Sequence, residues 1–190
     1  MDQAAAVTES PLGSDLRALR QARGLTLTET SEALGRSVGW LSQVERDMSV
    51  PTVDDLRALA DLFEVNLSIF FSANPAPAQE AGVIVRQSAR RAIGDREPGL
   101  TEELLSPDLT DDFEMVHSVF APGSAVSEPV SRPTQEVAVM LSGKLDLTID
   151  GRPFTVASGD SFRIRGVPFT WSNPYSQPAV AIWVIAPPVY

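Results

Sequence analysis

The sequence predicts a multidomain α + β chain, with helices in the first third and an all-β region in the second half. Three observations carry this. Apolar residues recur at helical spacing up to residue 71, whereas from residue 109 onward they alternate with polar ones between Pro-Gly, Ser-Gly and Asp-Gly turns. Between the two, Ser72-Ala73-Asn74-Pro75-Ala76-Pro77-Ala78-Gln79-Glu80 alternates Pro and Ala in a run that packs no core. The chain's 190 residues suit one domain or two, at roughly 100 to 150 residues each, so composition decides for two. The expected layout is a disordered tail over 1–11, a helical domain over 12–71, a linker over 72–82 and a β-barrel over 83–190.

In the helical part, a first helix starts near Ser14, turns Leu16 and Leu19 inward and ends at Gly24. Thr26-Leu27-Thr28-Glu29 forms a capping box for the second, in which hydroxyl and carboxylate satisfy orphan amides. Leu27, Ser31 and Leu34 stand at i, i+4 and i+7 of this helix, and Gly35 closes it. A third helix follows at once over Ser37-Val38-Gly39-Trp40-Leu41-Ser42-Gln43-Val44-Glu45-Arg46. Leu41 and Val44 bury its edge, leaving Val38, Gly39, Ser42 and Gln43 on or near the free side. Two short helices joined by so tight a turn make a helix-turn-helix. Thr52-Val53-Asp54-Asp55 caps a fourth helix with Val53, Leu56, Leu59, Ala60 and Phe63 on one face, and Asn66 caps a short fifth, Leu67 to Phe71.

Leu34-Gly35-Arg36-Ser37, then Leu41-Ser42-Gln43-Val44-Glu45-Arg46, then Pro51-Thr52 ahead of Leu56, resemble the phage-repressor-like (XRE) helix-turn-helix domains. The resemblance implies a five-helix lambda-repressor-like domain that reads double-stranded operator DNA. It also implies that Ser37, Val38, Gly39, Ser42 and Gln43 approach the major groove and that Arg46 sits near phosphate. Side-chain chemistry agrees unevenly: Gln43 can pair bidentately with adenine, Ser42 can donate or accept, and Val38 can pack on a thymine methyl. Gly39 reads nothing, and serves either close approach of the backbone to DNA or room for Trp40. Trp40 either meets DNA or covers the core beside the fourth helix. Thr26 and Thr28 are phosphate candidates at a helix start, or plain caps. Arg36 departs from the small apolar residue usual at its position and adds a possible phosphate contact. Glu45 reads as a hydrogen-bond partner within the domain, and Asp47, in place of the usual glycine, tolerates the left-handed conformation.

Strands are expected at 83–85, 113–120, 136–141, 145–149, 154–156, 162–164, 169–171 and 180–185, with an Asp150-Gly151 hairpin turn. Pro122-Gly123, Glu136 ahead of Gly143, Gly159-Asp160, and Gly166-Val167-Pro168 with Asn173 beyond resemble the cupins, small jelly-roll barrels. In metal-binding cupins a His-x-His pair precedes the Glu and a third His precedes the Asn. Here Pro129-Val130-Ser131-Arg132 and Phe169 stand in those places. The chain's one histidine, His117, shares a strand face with Phe113, Met115 and Val119 and reads as a satisfied core residue. No metal, cofactor or catalytic residue is therefore expected. What remains is a barrel with one inward carboxylate: Glu136, Ala138 and Met140 share a face, with Arg132, Phe169 and Trp171 as companions. Carboxylate and guanidinium together suit an amino acid or related zwitterion as effector. The opposing reading pairs Glu136 with Arg132 or Arg163 inside a packed dimerisation core.

A formal net charge of -10 excludes indiscriminate coating of nucleic acid or anionic membrane. Any DNA contact is small and patterned. The chain has no Cys, which suits a reducing compartment. It also lacks an apolar run of spanning length, and the signal-peptide pattern is missing from Met1 to Pro11. The expectation is a cytoplasmic, homodimeric transcriptional regulator with an effector-sensing barrel. Two rivals stand beside it: a metal-dependent cupin enzyme with a DNA-binding appendage, and a helix-turn-helix that binds protein.

Overall fold

The computed structural model describes residues 12–65, 67–71, 79–80, 82–93, 97–107, 109 and 111–189. The expected tail, the Asn66 cap and most of the expected linker lie outside these. The chain divides into two compact units, one taking in the chain through Arg91 together with Pro107–Asp111, the other Ala92–Ser106 with Asp112–Val189.

The first unit holds α1 (Leu12–Ala22), α2 (Leu27–Ala33), α3 (Val38–Val44) and α4 (Val53–Phe63). Local chemistry sets each boundary. Gly24 takes a left-handed φ of 67° after α1. Thr26 with Glu29, and Thr52 with Asp55, form complete capping boxes on α2 and α4, and the Ser37 hydroxyl accepts from the Trp40 amide at the start of α3. The fifth helix expected at Leu67 to Phe71 is instead a 3-10 turn, Leu67–Phe70. Four residues close too few i to i+4 bonds to propagate an α-helix. The turn is kept because Ile69 and Phe70 are buried. They join Leu16, Leu19, Leu41, Val44, Leu56, Leu59 and Phe63 in the core, while Val53, expected inward, is half exposed.

Helix α1 lies against the end of α3 with no side chain between. A Cβ on Gly13 would stand 2.5 Å from the Val44 carbonyl oxygen. The Gly13 amide donates to Asp47 Oδ1 at 2.8 Å, and Asp47 sits in the left-handed region at φ 55°. Asp47 thus turns the chain after α3 and satisfies the start of α1, two tasks of which a glycine could do only the first.

The β-rich region comprises β1 (Arg91–Ala92), β2 (Leu100–Leu104), β3 (Glu114–Phe120), β4 (Gln135–Ser142), β5 (Lys144–Ile149), β6 (Arg152–Ala157), β7 (Ser161–Arg165), β8 (Phe169–Ser172) and β9 (Ala179–Ala186). They form a six-stranded sheet in the order β1-β2-β3-β9-β4-β7 and a three-stranded sheet β6-β5-β8. The strand expected at 83–85 does not form: a turn at Gly82-Val83 leads through extended chain to a 3-10 turn, Gln87–Ala89. Strict alternation defines the interior. Glu114, Val116, Ser118 and Phe120 of β3, Glu136, Ala138 and Met140 of β4, and Ala179, Ala181, Trp183 and Ile185 of β9 are all buried. The antiparallel register sets Glu136 beside Ile185 and Ala138 beside Trp183.

His117 belongs to the other, half-exposed face of β3, which corrects its reading as a core residue. Its Nδ1 lies 3.7 Å from Glu103 Oε2 on β2, too long for a hydrogen bond.

Candidate nucleic-acid interface and barrel cavity

Helix α3 presents a side free of charge. Leu41 and Val44 are buried, and Ser37, Val38, Gly39, Gln43 and Arg46 are exposed, with Ser42 half-buried beside them. Residues Val38–Val44 include no acid. The nearest carboxylate in sequence, Glu45, is withdrawn: Arg20 grips it through Nε at 2.6 Å and Nη2 at 3.0 Å, and both side chains are buried. Held this way, Glu45 puts no negative charge where phosphate would lie. Nothing outside the flanking residues and the helix's own backbone lies within 4 Å of a Cβ built on Gly39, so packing against the rest of the unit does not demand glycine there.

Two further candidates are engaged within the unit. Arg36 donates through Nε and Nη2 to Asp55 Oδ1 at 2.9 and 2.7 Å, and its guanidinium stacks 5.1 Å from the Trp40 ring centroid. It ties the turn before α3 to the start of α4 and holds the half-buried Trp40 in place. Burial pushes the Asp55 carboxyl up, but donors from Thr52 and the Arg36 guanidinium outweigh it and hold the group below its ordinary value. The Thr26 hydroxyl donates to Glu29 Oε2 at 2.7 Å and accepts from the Glu29 amide, which occupies it in the cap. Those hydrogen bonds also hold the Glu29 carboxyl below its usual range. Thr28 is exposed next to it.

In the barrel, Arg132, Glu136, Phe169 and Trp171 line one cavity of about 80 Å³. Met140, fully buried, is not among the residues that line it. The segment bearing Arg132 is pinned over β8 by a bridge between Val130 and Phe169, whose amides and carbonyls exchange bonds of 2.8 and 2.9 Å. Glu136 is 2% exposed and accepts from the Thr134 hydroxyl at 2.7 Å. It pairs with neither arginine, so the packed ion-paired core is not what forms. Arg163 sits on the outer face across from Val137, and Arg132 makes no ion pair among the described residues.

The cavity has more members than the sequence reading named. Glu97, Glu102 and Trp183 line it too, as does Phe120, whose ring meets Trp171 edge-on at 4.8 Å. Trp183 packs edge-on against Phe162 at 5.2 Å, and its indole N–H is buried without a hydrogen-bond partner. Asn173 braces the rim, donating to the Phe120 and Gln177 carbonyls and accepting from the Tyr175 amide.

Residues at this site do not fit the metal that many cupins hold. Pro129-Val130-Ser131-Arg132 and Phe169 offer no imidazole. Among the described residues no group of three His, Cys, Asp or Glu is arranged to hold an ion, so the carboxylates on this cavity do not converge as ligands must.

A helical unit with a charge-free exposed recognition helix, followed by a two-sheet barrel, defines a helix-turn-helix protein with a barrel domain. Family models agree, a helix-turn-helix domain matching residues 11–67 and a cupin domain matching residues 116–185. The HTH-type transcriptional regulator SutR of Escherichia coli is 34% identical over 154 residues, covering 80% of each chain. The HTH-type transcriptional regulator PuuR of the same organism is 28% identical over 165 residues, covering 85% of this chain and 86% of its own. A crystal structure of an HTH_3 family transcriptional regulator from Vibrio cholerae aligns over 95% of this chain and 97% of that one, at 23% identity and a TM-score of 0.45. The chain belongs to the XRE-type helix-turn-helix transcriptional regulators that carry a cupin domain, and is a DNA-binding regulator.

Proposed function

We propose that α3 enters the major groove of an operator, that the barrel senses a small molecule with no metal and no catalysis, and that the protein works in the cytoplasm as a homodimer. One observation carries the DNA reading. The polar groups around α3 are spent on the fold, Glu45 on Arg20 and Arg36 on Asp55, while Ser37, Val38, Gln43 and Arg46 stay exposed. Gln43 reads a base edge, Arg46 neutralises a phosphate, and Ser37 and Ser42 set the register. Gly39 lets the backbone close on the duplex. Thr26, Thr28, Arg36 and Trp40 flank this face, with Arg36 and Trp40 chiefly positioning α3.

Dimerisation rests on the outer face of the six-stranded sheet. Val137, Val139 and Leu141 of β4 and Val184 of β9 are 38 to 51% exposed. The register sets Val137 beside Val184, and Val139 beside Ile182, in one apolar patch. A second copy of the chain, applied by a two-fold axis, covers such a patch with itself. Two recognition helices then read half-sites about 34 Å apart. Charging the patch with Val139→Glu should leave a monomer by sedimentation; an unchanged dimer would move the interface elsewhere.

The effector reading rests on the cavity, whose Glu136 and Arg132 keep groups free for a zwitterion such as an amino acid. For the DNA reading, the test is anisotropy with the DNA upstream of the protein's own gene at two salt concentrations. Gln43→Ala should lose about 1 to 3 kcal/mol of discrimination between operator and scrambled DNA. Arg46→Ala should weaken both equally and lower the salt slope by about one. Parent affinity for both duplexes in both variants would refute the assignment of α3.

A further inference from the structure

The cavity's charges do not balance, and the imbalance points to the effector's chemical class. Among the described residues three carboxylates line it, Glu97, Glu102 and Glu136, with Arg132 as the one cation. One Glu136 oxygen accepts from Thr134, and the other has no hydrogen bond although the side chain is 98% buried. Glu102 has one oxygen on the Ser118 hydroxyl at 2.9 Å. One donor is likewise uncommitted, the half-buried Arg132 guanidinium. A carboxylate oxygen of so buried a residue that takes no hydrogen bond from the chain, facing a cavity that also carries an unpaired guanidinium, marks where a ligand supplies what the protein does not. The acids are not arranged to converge on a metal ion, which suits cationic groups spread along a molecule. The cavity's 80 Å³ is several times the roughly 10 to 15 Å³ that one water takes on this measure. The aromatic walls of Phe120, Phe169 and Trp171 also favour a cation and its alkyl stem.

We propose that the effector is an α-amino acid with a cationic side chain, its carboxylate held by Arg132 and its two cationic groups shared among Glu136, Glu102 and Glu97. This rests on the reading of the barrel as a sensor. A neutral amino acid brings one cationic group to the three carboxylates and a cationic one brings two; a diamine also brings two but leaves Arg132 unanswered.

The test titrates the full-length protein by calorimetry with L-lysine, with L-norleucine, which keeps the stem without the second ammonium, and with 1,5-diaminopentane, which lacks the carboxylate. Lysine should bind at least about tenfold more tightly than either. Glu102→Gln should narrow the gap to norleucine and Arg132→Gln the gap to the diamine, each with the parent's melting temperature as the check on folding. Norleucine binding as well as lysine would overturn the charge assignment, and the diamine binding more tightly would overturn the carboxylate site. Binding by none of the three overturns the proposal. A thermal-shift screen with neutral and anionic metabolites then separates the two levels. A shift there leaves the sensor reading standing, and no shift from any compound removes it as well.

Discussion

The two regions of the molecule treat buried charge in opposite ways. In the helical unit it is matched: Arg20 with Glu45 at 2.6 Å, Asp15 with Arg91 at 2.6 Å, and Arg36 with the largely buried Asp55. In the barrel Glu136 is more deeply buried than Arg20, Glu45 or Asp55, yet it has only a neighbouring hydroxyl, and the Trp183 N–H has nothing. Matched charge builds a scaffold and fixes one arrangement. Unmatched charge is tolerable only where something else arrives to meet it.

Four substitutions and one titration break or sharpen this contrast. The largest loss is expected from Glu45→Ala, which strands Arg20 among apolar neighbours and should cost about 3 to 5 kcal/mol in urea denaturation. A loss below about 1 kcal/mol, the level of an exposed pair, would show that the pair is ornamental. Next come the DNA effects of Gln43→Ala and Arg46→Ala given above, which should leave stability unchanged because both side chains are exposed. The acid limb should be smaller. Asp55 titrates below its ordinary value in the fold, so the unfolded chain takes up its proton first. Its contribution is therefore complete above the unfolded value of roughly 3.9 and lost as pH falls below it. Urea midpoints from pH 5 to 3 should fall less steeply in Arg36→Gln, and identical slopes would deny Arg36 its part. Smallest of all is Glu136→Gln, which removes an unmatched charge and should change stability by less than about 1 kcal/mol in either direction. A loss as large as that from Glu45→Ala would mean that Glu136 belongs to the scaffold after all.

How much of this could be read in the sequence follows from distance along the chain. Capping boxes link residues three apart, so Thr26 with Glu29 and Thr52 with Asp55 are legible as strings, and they mark the starts of α2 and α4. The strands from β3 onward were legible through alternation. Strand β2 was not, because Leu100-Thr101-Glu102-Glu103-Leu104 places an acid on the same face as its two buried leucines. That inward Glu102 hid the strand for the same reason that it lines the cavity. Met140 shares the inward face of β4 without lining the cavity, because alternation reports only which side of a sheet a residue faces, not how far the cavity extends along it. The partners of Glu45 and Arg36 lie 25 and 19 residues away, a pairing that no local pattern encodes.

The contact at Gly13 has a consequence for control. Because the α1 backbone rests on the Val44 carbonyl and is fastened to Asp47, α3 has no hinge of its own and cannot tilt in its seat without carrying the first helix with it. A signal that loosens the protein's grip on DNA by moving α3 would therefore move α1 with it. An inducer that merely swivelled the reading rod would have to tear its mounting first.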